Sequence, residues 1–226
     1  MIDLFIKKHL RELLSPLHGE RILDIGCGSG NHLLSLNSLG LNINGIDASP
    51  YMIDIAKKRL GDKCLLMKGM AEDLPFEDNE FDISVMINTL EFLDDPLQAL
   101  REAGRVTKRK IFIGSINSLS WFYIRDKLQG IFRDTLSNYL RAYSLWDLKS
   151  YIRKVFGPVP VDWKSACTWP FTNDFFYGSF KDFFKLDNWP ISPFIGLSAT
   201  IAYTMKTDKL SLKVGISKTG ESVVQG

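Results

Sequence analysis

The stretch RILDIGCGSGNH, residues 21–32, is a short apolar run closed by Asp24 and Ile25, followed by Gly26, Gly28 and Gly30 at every second position. Such a run reads as a buried strand. Glycine permits positive φ and lets a ligand approach the main chain closely, so the turn after it is where a bound molecule would lie. In an open parallel sheet, ligands bind at the carboxyl ends of the strands, where the strand order reverses.

Working outward, strands and helices alternate. NHLLSLNSL reads as a helix ended by Gly40, and NINGI as a second strand. Ser49 and Pro50 form an N-cap and first-turn pair for the helix YMIDIAKKRL, which Gly61 stops. CLLMK and FDISVMI read as the third and fourth strands. Asp95 and Pro96 open a helix that runs through Ala103, and KIFIGSI is a fifth strand. Strict alternation implies right-handed crossovers and a sheet covered on both faces. The fold class expected is α/β, doubly wound, with a mostly parallel sheet of seven strands in a Rossmann-like arrangement.

Upstream, Ile2, Leu4, Phe5, Ile6, Leu10, Leu13 and Leu14 recur at helical spacing and predict an amphipathic opening helix closed by Ser15 and Pro16. Downstream of Ser118 the pattern changes. SWFYIRDKLQGIF and SLWDLKSYIRKVF predict helices, and VDWKSACTW and SATIAYTMKT predict two strands forming an antiparallel hairpin at one sheet edge. Between these strands lies an aromatic-rich insertion, the segment 170–196, and Trp163 to Phe194 holds eleven of the chain's 27 aromatic residues. It reads as a cover over an apolar small-molecule pocket, as plain packing, or as a dimer surface. Residues 1–207 are expected to form one domain: an N-terminal helix over 1–19, a cofactor-binding core over 20–117, and a substrate and lid part with the edge hairpin over 118–207. Residues 208–226 read as a flexible tail.

The totals bound the function. The 226 residues are 45% hydrophobic and 24% charged, enough for one sizeable core. A net charge of +2 calls for no nucleic acid, and the local cluster Arg101, Arg105, Lys108, Arg109 and Lys110 reads as a solvated helix end. Cys27, Cys64 and Cys167 are odd in number and far apart, without a Cys-x-x-Cys pair, so no metal site is expected and a reducing cytoplasm fits. MIDLFIKKHLRELL is interrupted by charge and does not read as a signal peptide. ISPFIGLSATIAYTM is too short and too broken to span a membrane. A cytoplasmic protein is the expectation.

Two ligand classes compete for the glycine turn. A dinucleotide fingerprint is G-x-G-x-x-G, whereas here the third glycine comes one residue early. Asp47, about 20 residues beyond the glycines, stands where an acid accepts hydrogen bonds from ribose hydroxyls, which both classes carry. The ensemble decides. LDIGCGSG, then GIDASPYMIDIAKKR, then GMAEDLPFEDNEFDISVMINTLEFLDDPLQALREAGRV resemble the class I S-adenosylmethionine-dependent methyltransferases, in the branch of the ubiquinone and menaquinone biosynthesis enzymes. The likeness covers about residues 20–116, with three motifs in order.

The resemblance implies S-adenosyl-L-methionine as cofactor and a site made of Asp24, Gly26, Cys27, Gly28, Gly30, Asp47, Ala48, Met52, Ala71, Glu72 and Asn88. In it Asp24 orients the loop and helps hold the cofactor's amino group, and Gly26 and Gly28 let the methionine part lie along the main chain. Asp47 takes the ribose hydroxyls and Met52 packs on the adenine. The Ala71 N–H meets an adenine ring nitrogen, and the Asn88 carbonyl receives the methionine ammonium. Besides TKRKIF, which stands where relatives often have a proline-glycine-glycine turn, two positions depart from the pattern. Met70 stands where relatives often have an aspartate for the adenine amine, leaving Glu72, Asp73 or water to serve. Phe92 stands where they often have histidine.

Methyl transfer from a sulfonium is an in-line displacement that needs alignment above all, and a base only for weakly acidic acceptors. His32 and Tyr143, the latter beside Arg141, are the weak candidates for catalytic residues, with Ser144 as a helix N-cap competing for the explanation of Tyr143. The expected partner is a small-molecule acceptor of apolar or aromatic character, a homodimer being one use of the aromatic segment. The alternative function is a cofactor-binding subunit, catalytically weak or inactive, that acts through a partner.

Overall fold

A computed structural model describes residues 9–130, 140–166 and 188–201. Seven strands form one sheet in the order β3-β2-β1-β4-β5-β7-β6. They are β1 (Arg21–Ile25), β2 (Asn42–Asp47), β3 (Leu65–Lys68), β4 (Phe81–Ile87), β5 (Thr107–Ile116), β6 (Val161–Ala166) and β7 (Phe194–Thr200). The first five pair in parallel, while β7 runs antiparallel between β5 and β6. The Rossmann-like doubly wound sheet and its antiparallel edge hairpin are therefore as the sequence predicts.

Alternation along the strands explains why both faces are covered. In β1, Leu23 and Ile25 enter one core with Met86, Ile111 and Ile113, against Ala99, Leu100 and Ala103 of α4 (Pro96–Val106) and Leu148 and Ile152 of α6 (Leu145–Phe156). Ile22, Ile43, Ile83, Val85 and Phe112 enter the other. That second core receives Leu10, Leu13 and Leu14 of α1 (helical over 9–14), Leu33 and Leu36 of α2 (Asn31–Asn37), and Ile53, Ala56 and Leu60 of α3 (Pro50–Leu60). Parallel strands buried on both faces must be apolar on both, as these are.

Caps fix the helix starts. The Ser49 hydroxyl accepts the Met52 N–H, and Pro50 occupies the first turn of α3. Asp95 accepts from Leu97 and Gln98 at the start of α4. Ser120 accepts the Tyr123 N–H at the start of α5 (Trp121–Gln129), and Ser144 and Asp147 form a reciprocal capping box on α6.

Several boundaries differ from expectation. α2 stops at Asn37, and Gly40 at φ 76 turns the chain back so that its carbonyl accepts the Gly19 N–H. α4 continues three residues past Ala103 because Val106 extends its buried stripe. β5 begins at Thr107, earlier than the apolar run suggests, because the Thr107 hydroxyl is satisfied by the Ala103 carbonyl and the Ser84 hydroxyl. β7 starts at Phe194, inside the segment read as insertion, because Phe194 and Ile195 face the two cores. Residues 1–8, 131–132, 167–187 and 202–226, which carry parts of the opening helix, of the predicted α5, of the aromatic segment and of β7, and the tail, lie outside the described residues.

The basic cluster near α4 is engaged internally. Arg105 binds Glu102 and Asp78, Lys108 lies 3.4 Å from Asp82, and Arg109 pairs with Glu20 at 2.7 Å.

Candidate active site

The chain order reverses between β1 and β4: β2 lies on one side of β1 and β4 on the other. The loops leaving the carboxyl ends of β1, β2 and β4 meet there. Gly26, Gly28 and Gly30 adopt φ of 74°, 51° and 76°, the left-handed region that glycine enters without strain. The Gly26 and Cys27 N–H groups both donate to the Ile46 carbonyl, at 2.8 and 3.0 Å, clasping the loop to β2. A β-carbon on Gly28 would meet nothing within 4 Å, so its open side faces free space. One on Gly30 would strike Leu60 at 2.8 Å, so this third glycine serves the packing of the loop on α3.

Asp47, at the end of β2, reaches across to this loop. Its Oδ2 accepts the Gly28 N–H at 2.8 Å and its Oδ1 accepts the Ser49 N–H at 2.8 Å. Each carboxylate oxygen keeps lone-pair capacity for further donors. Asp24 is fully buried at the end of β1, and neither of its oxygens has a hydrogen-bond partner. Burial first, then the nearby Asp47 charge, pushes its carboxyl up to about 7. Asn88 sits in the left-handed region at φ 52 directly after β4, its N–H donating to the Gly114 carbonyl at 2.8 Å, its side-chain oxygen buried without a donor.

On the other flank, Ala71 is buried and Met52 is 38% exposed, while Ala48 is exposed. Glu72 is half-buried, with one carboxylate oxygen enclosed and lacking a donor, whereas Asp73 is exposed. The implied set thus converges on one edge of the sheet. Cys27 belongs to the packing: a β-carbon on Gly45 would meet its sulfur at 2.9 Å. Burial, with the Asp24 and Asp47 charges, raises its thiol far above the usual range.

The two candidate catalytic residues fall differently. His32 is the second residue of α2 and half-buried. The Tyr143 hydroxyl is buried and donates to the Leu90 carbonyl at 3.2 Å, with its ring 5.6 Å from Tyr151. Burial pushes its pKa up to about 12, so it keeps its proton. Among the described residues, no group of three or more His, Cys, Asp or Glu side chains could hold a metal ion. None of their helices is long and apolar enough to cross a membrane.

Three residues that sequence reasoning did not assign to the site shape it. The Thr89 hydroxyl donates to the Ile25 carbonyl at 2.9 Å and fills the space beside Gly26. Arg105 holds the loop after β3 through the Leu74 and Phe76 carbonyls, at 2.9 and 2.7 Å. Glu91 is buried in the short turn that follows β4. The only sequence signal for it is an acid inside the otherwise apolar run TLEFL.

Residues 23–112 match the methyltransferase domain family. The chain carries a class I S-adenosylmethionine-dependent methyltransferase domain. A demethylmenaquinone methyltransferase of Thermotoga maritima is 37% identical over 106 residues, 46% of each chain. An uncharacterised protein of Methanocaldococcus jannaschii is 39% identical over 117 residues, 51% of this chain and 54% of its own. The chain spans about half the length of these curated relatives. A solved S-adenosylmethionine-dependent methyltransferase of Thermotoga maritima, described as a possible histamine N-methyltransferase, superposes with a TM-score of 0.67 at 23% identity, over 89% of this chain and 91% of its own, which speaks to the fold.

The methyltransferase domain thus has S-adenosylmethionine as its cofactor, and the described residues fit that molecule. They offer an open glycine cradle, a carboxylate with spare acceptor capacity beside it, and enclosed oxygens lacking donors at Asp24, Glu72 and Asn88.

Proposed function

We propose that this protein transfers the methyl group of S-adenosylmethionine to a small-molecule acceptor. The observation that carries the reading is the set of enclosed acceptor oxygens without donors at Asp24, Glu72 and Asn88, on β1 and the loops after β3 and β4, together with the open Gly28. A buried acceptor without a donor is costly, and the cofactor brings the missing donors: an ammonium, two ribose hydroxyls and an adenine amine. In this reading Asp24 and Asn88 hold the ammonium and Asp47 the ribose. Ala71 and Glu72 read the adenine edge while Met52 covers its ring. Gly26 and Gly28 let the methionine chain lie on the backbone, with Cys27, Gly30 and Ala48 shaping the two loops.

When bound, the cofactor supplies an electrophilic methyl group on a charged sulfur. The protein's share is alignment and exclusion of water, which supply most of what an in-line displacement needs. The demethylmenaquinone methyltransferase likeness over the core supports a small organic acceptor.

Calorimetric titration with S-adenosylmethionine and S-adenosylhomocysteine tests this. Binding of both in the micromolar range is expected, and its loss in Asp47→Ala. Folded protein that binds neither would overturn the reading. A second reading, a cofactor-binding subunit without turnover, draws on the engagement of the Tyr143 hydroxyl by Leu90. Cofactor-dependent methylation of any acceptor, abolished in Asp47→Ala, removes it.

A further inference from the structure

The proposed cofactor positions run in one direction along the sheet edge. Adenine lies by Ala71 after β3, ribose by Asp47 at β2, and the methionine part by Gly26 at β1 and Asn88 after β4. The reacting sulfur therefore lies toward β4, and an acceptor must approach over the ends of β4 and β5. Glu91 stands there, in the short helical turn Leu90–Phe92. Among the described residues, Asp24 and Glu91 are the two buried carboxylates.

Glu91 is built in from several sides. Its Oε1 accepts both the Ser115 hydroxyl and the Ile116 N–H, each at 2.8 Å, at the last residues of β5. Its own carbonyl accepts the Arg141 N–H at 3.3 Å. Tyr143 ties the same turn through Leu90 and ties β5 through the Ile116 carbonyl. Its Oε2 is enclosed and has no hydrogen-bond partner. A clip from the turn to β5 needs Oε1 alone, so a buried second oxygen without a hydrogen-bond partner is unexplained by folding. Burial raises the Glu91 carboxyl above the usual range against the pull of Ile116 and Ser115, which suits a group that gains a proton. Phe92, its neighbour in the chain, carries an exposed apolar ring.

We propose that Glu91 is a catalytic residue on the acceptor side, whose Oε2 accepts the O–H or N–H of the methyl acceptor, a small molecule with an apolar body and one protic head. This rests on the methyl-transfer reading above. As the acceptor's lone pair forms the bond to the methyl carbon, the carbon–sulfur bond breaks with its electron pair going to sulfur. The acceptor's proton passes to Glu91 Oε2 and thence to water. At the transfer the sulfonium and carboxylate charges are neutralised together, and the carboxylate is restored when the proton leaves to water.

The test uses the full chain saturated with S-adenosylhomocysteine, probed by NMR titration with two matched pairs: p-cresol against toluene, and phenethylamine against ethylbenzene. The wild type is expected to bind at least one protic probe about tenfold more tightly than its aprotic match, the worth of one hydrogen bond to a charged group. The Ile116 amide signal should move with that probe alone. In Glu91→Gln, which keeps an oxygen for Ser115 and Ile116, the preference should vanish while S-adenosylhomocysteine affinity stays unchanged. A preference shown by p-cresol marks a hydroxyl acceptor, and one shown by phenethylamine an amine. Equal binding within both pairs, no binding of any probe, or a preference that survives in Glu91→Gln overturns the proposal. Should Glu91→Gln fail to fold, the Ile116 signal in the wild type decides. Absence of S-adenosylhomocysteine binding by the wild type is seen before any probe is added, and it overturns the methyl-transfer reading itself.

Discussion

The Thr89 hydroxyl occupies the space into which a β-carbon on Gly26 would project, the two being 2.6 Å apart. The same hydroxyl donates to the Ile25 carbonyl, so the loop after β1 and the turn after β4 are locked face to face. Gly26→Ala would add left-handed strain at φ 74 and push Thr89 off that carbonyl, a loss of about 3 kcal/mol. Gly28→Ala meets only open space, so it should cost about 1 kcal/mol of stability while blocking the cradle. Thermal unfolding should separate the two variants, and S-adenosylhomocysteine titration should show Gly28→Ala weakened about tenfold or more. Wild-type affinity in Gly28→Ala would contradict the placement of the methionine chain.

Parallel strands announce themselves as apolar runs, and Gly26, Gly28, Ser49, Pro50 and Asp95 punctuate them, so the core of the sheet and its ligand edge were legible in the sequence. Asp47 was legible for the same reason: it ends a strand beside the glycine turn. Thr89, Arg105 and Glu91 were not, because their importance lies in partners 64, 31 and 24 residues away, at Ile25, Leu74 and Ser115. Phe194 misled because Pro193 beside it suggests a loop, whereas its packing in the second core, with Ile195 in the first, makes it the first residue of β7.

Asp24 makes stability depend on pH. Its carboxyl titrates at about 7 in the fold against an ordinary 3.8, so the folded state binds more protons between those values. Stability from this group is full below about 4, falls as pH rises to 7, and then levels, a change of roughly 4 kcal/mol at about 1.4 kcal/mol per unit. Glu102, held low by Arg105, pulls the other way, so the comparison must be with Asp24→Asn. Urea unfolding at pH 5 and pH 8 should show the wild type losing stability relative to that variant. S-adenosylhomocysteine should restore more to the wild type at pH 8, where its ammonium meets an ionised carboxylate. Parallel pH curves for the two proteins would refute the assignment.

Arg105 braces the loop that presents Ala71 and Glu72. Its guanidinium donates to the Leu74 and Phe76 carbonyls and to Glu102 and Asp78, while Glu102 accepts the Leu74 N–H at 2.9 Å. A lysine cannot reproduce this planar fork. Arg105→Lys is expected to lower stability by about 1–2 kcal/mol, discounted for partial exposure. Amide exchange should quicken over residues 70–78 before it quickens in β1, and exchange quickening equally in both would show the arginine to be a general rather than a local brace.

Glu72 is the proposed stand-in for the carboxylate that Met70 lacks. Met70 is 55% exposed and a thioether is a poor acceptor, whereas one Glu72 oxygen is enclosed and without a donor. If that oxygen receives the adenine amine, wild-type protein should prefer S-adenosylhomocysteine over S-inosylhomocysteine, which has a carbonyl oxygen in place of that amine. Glu72→Ala should weaken the former about tenfold and leave the latter unchanged, because only the first loses a hydrogen bond to a charged acceptor. Adding Met70→Asp to Glu72→Ala should restore the preference. Two affinities that fall together in Glu72→Ala would mean that Glu72 shapes the loop instead of reading the base, and the amine would then be left to water.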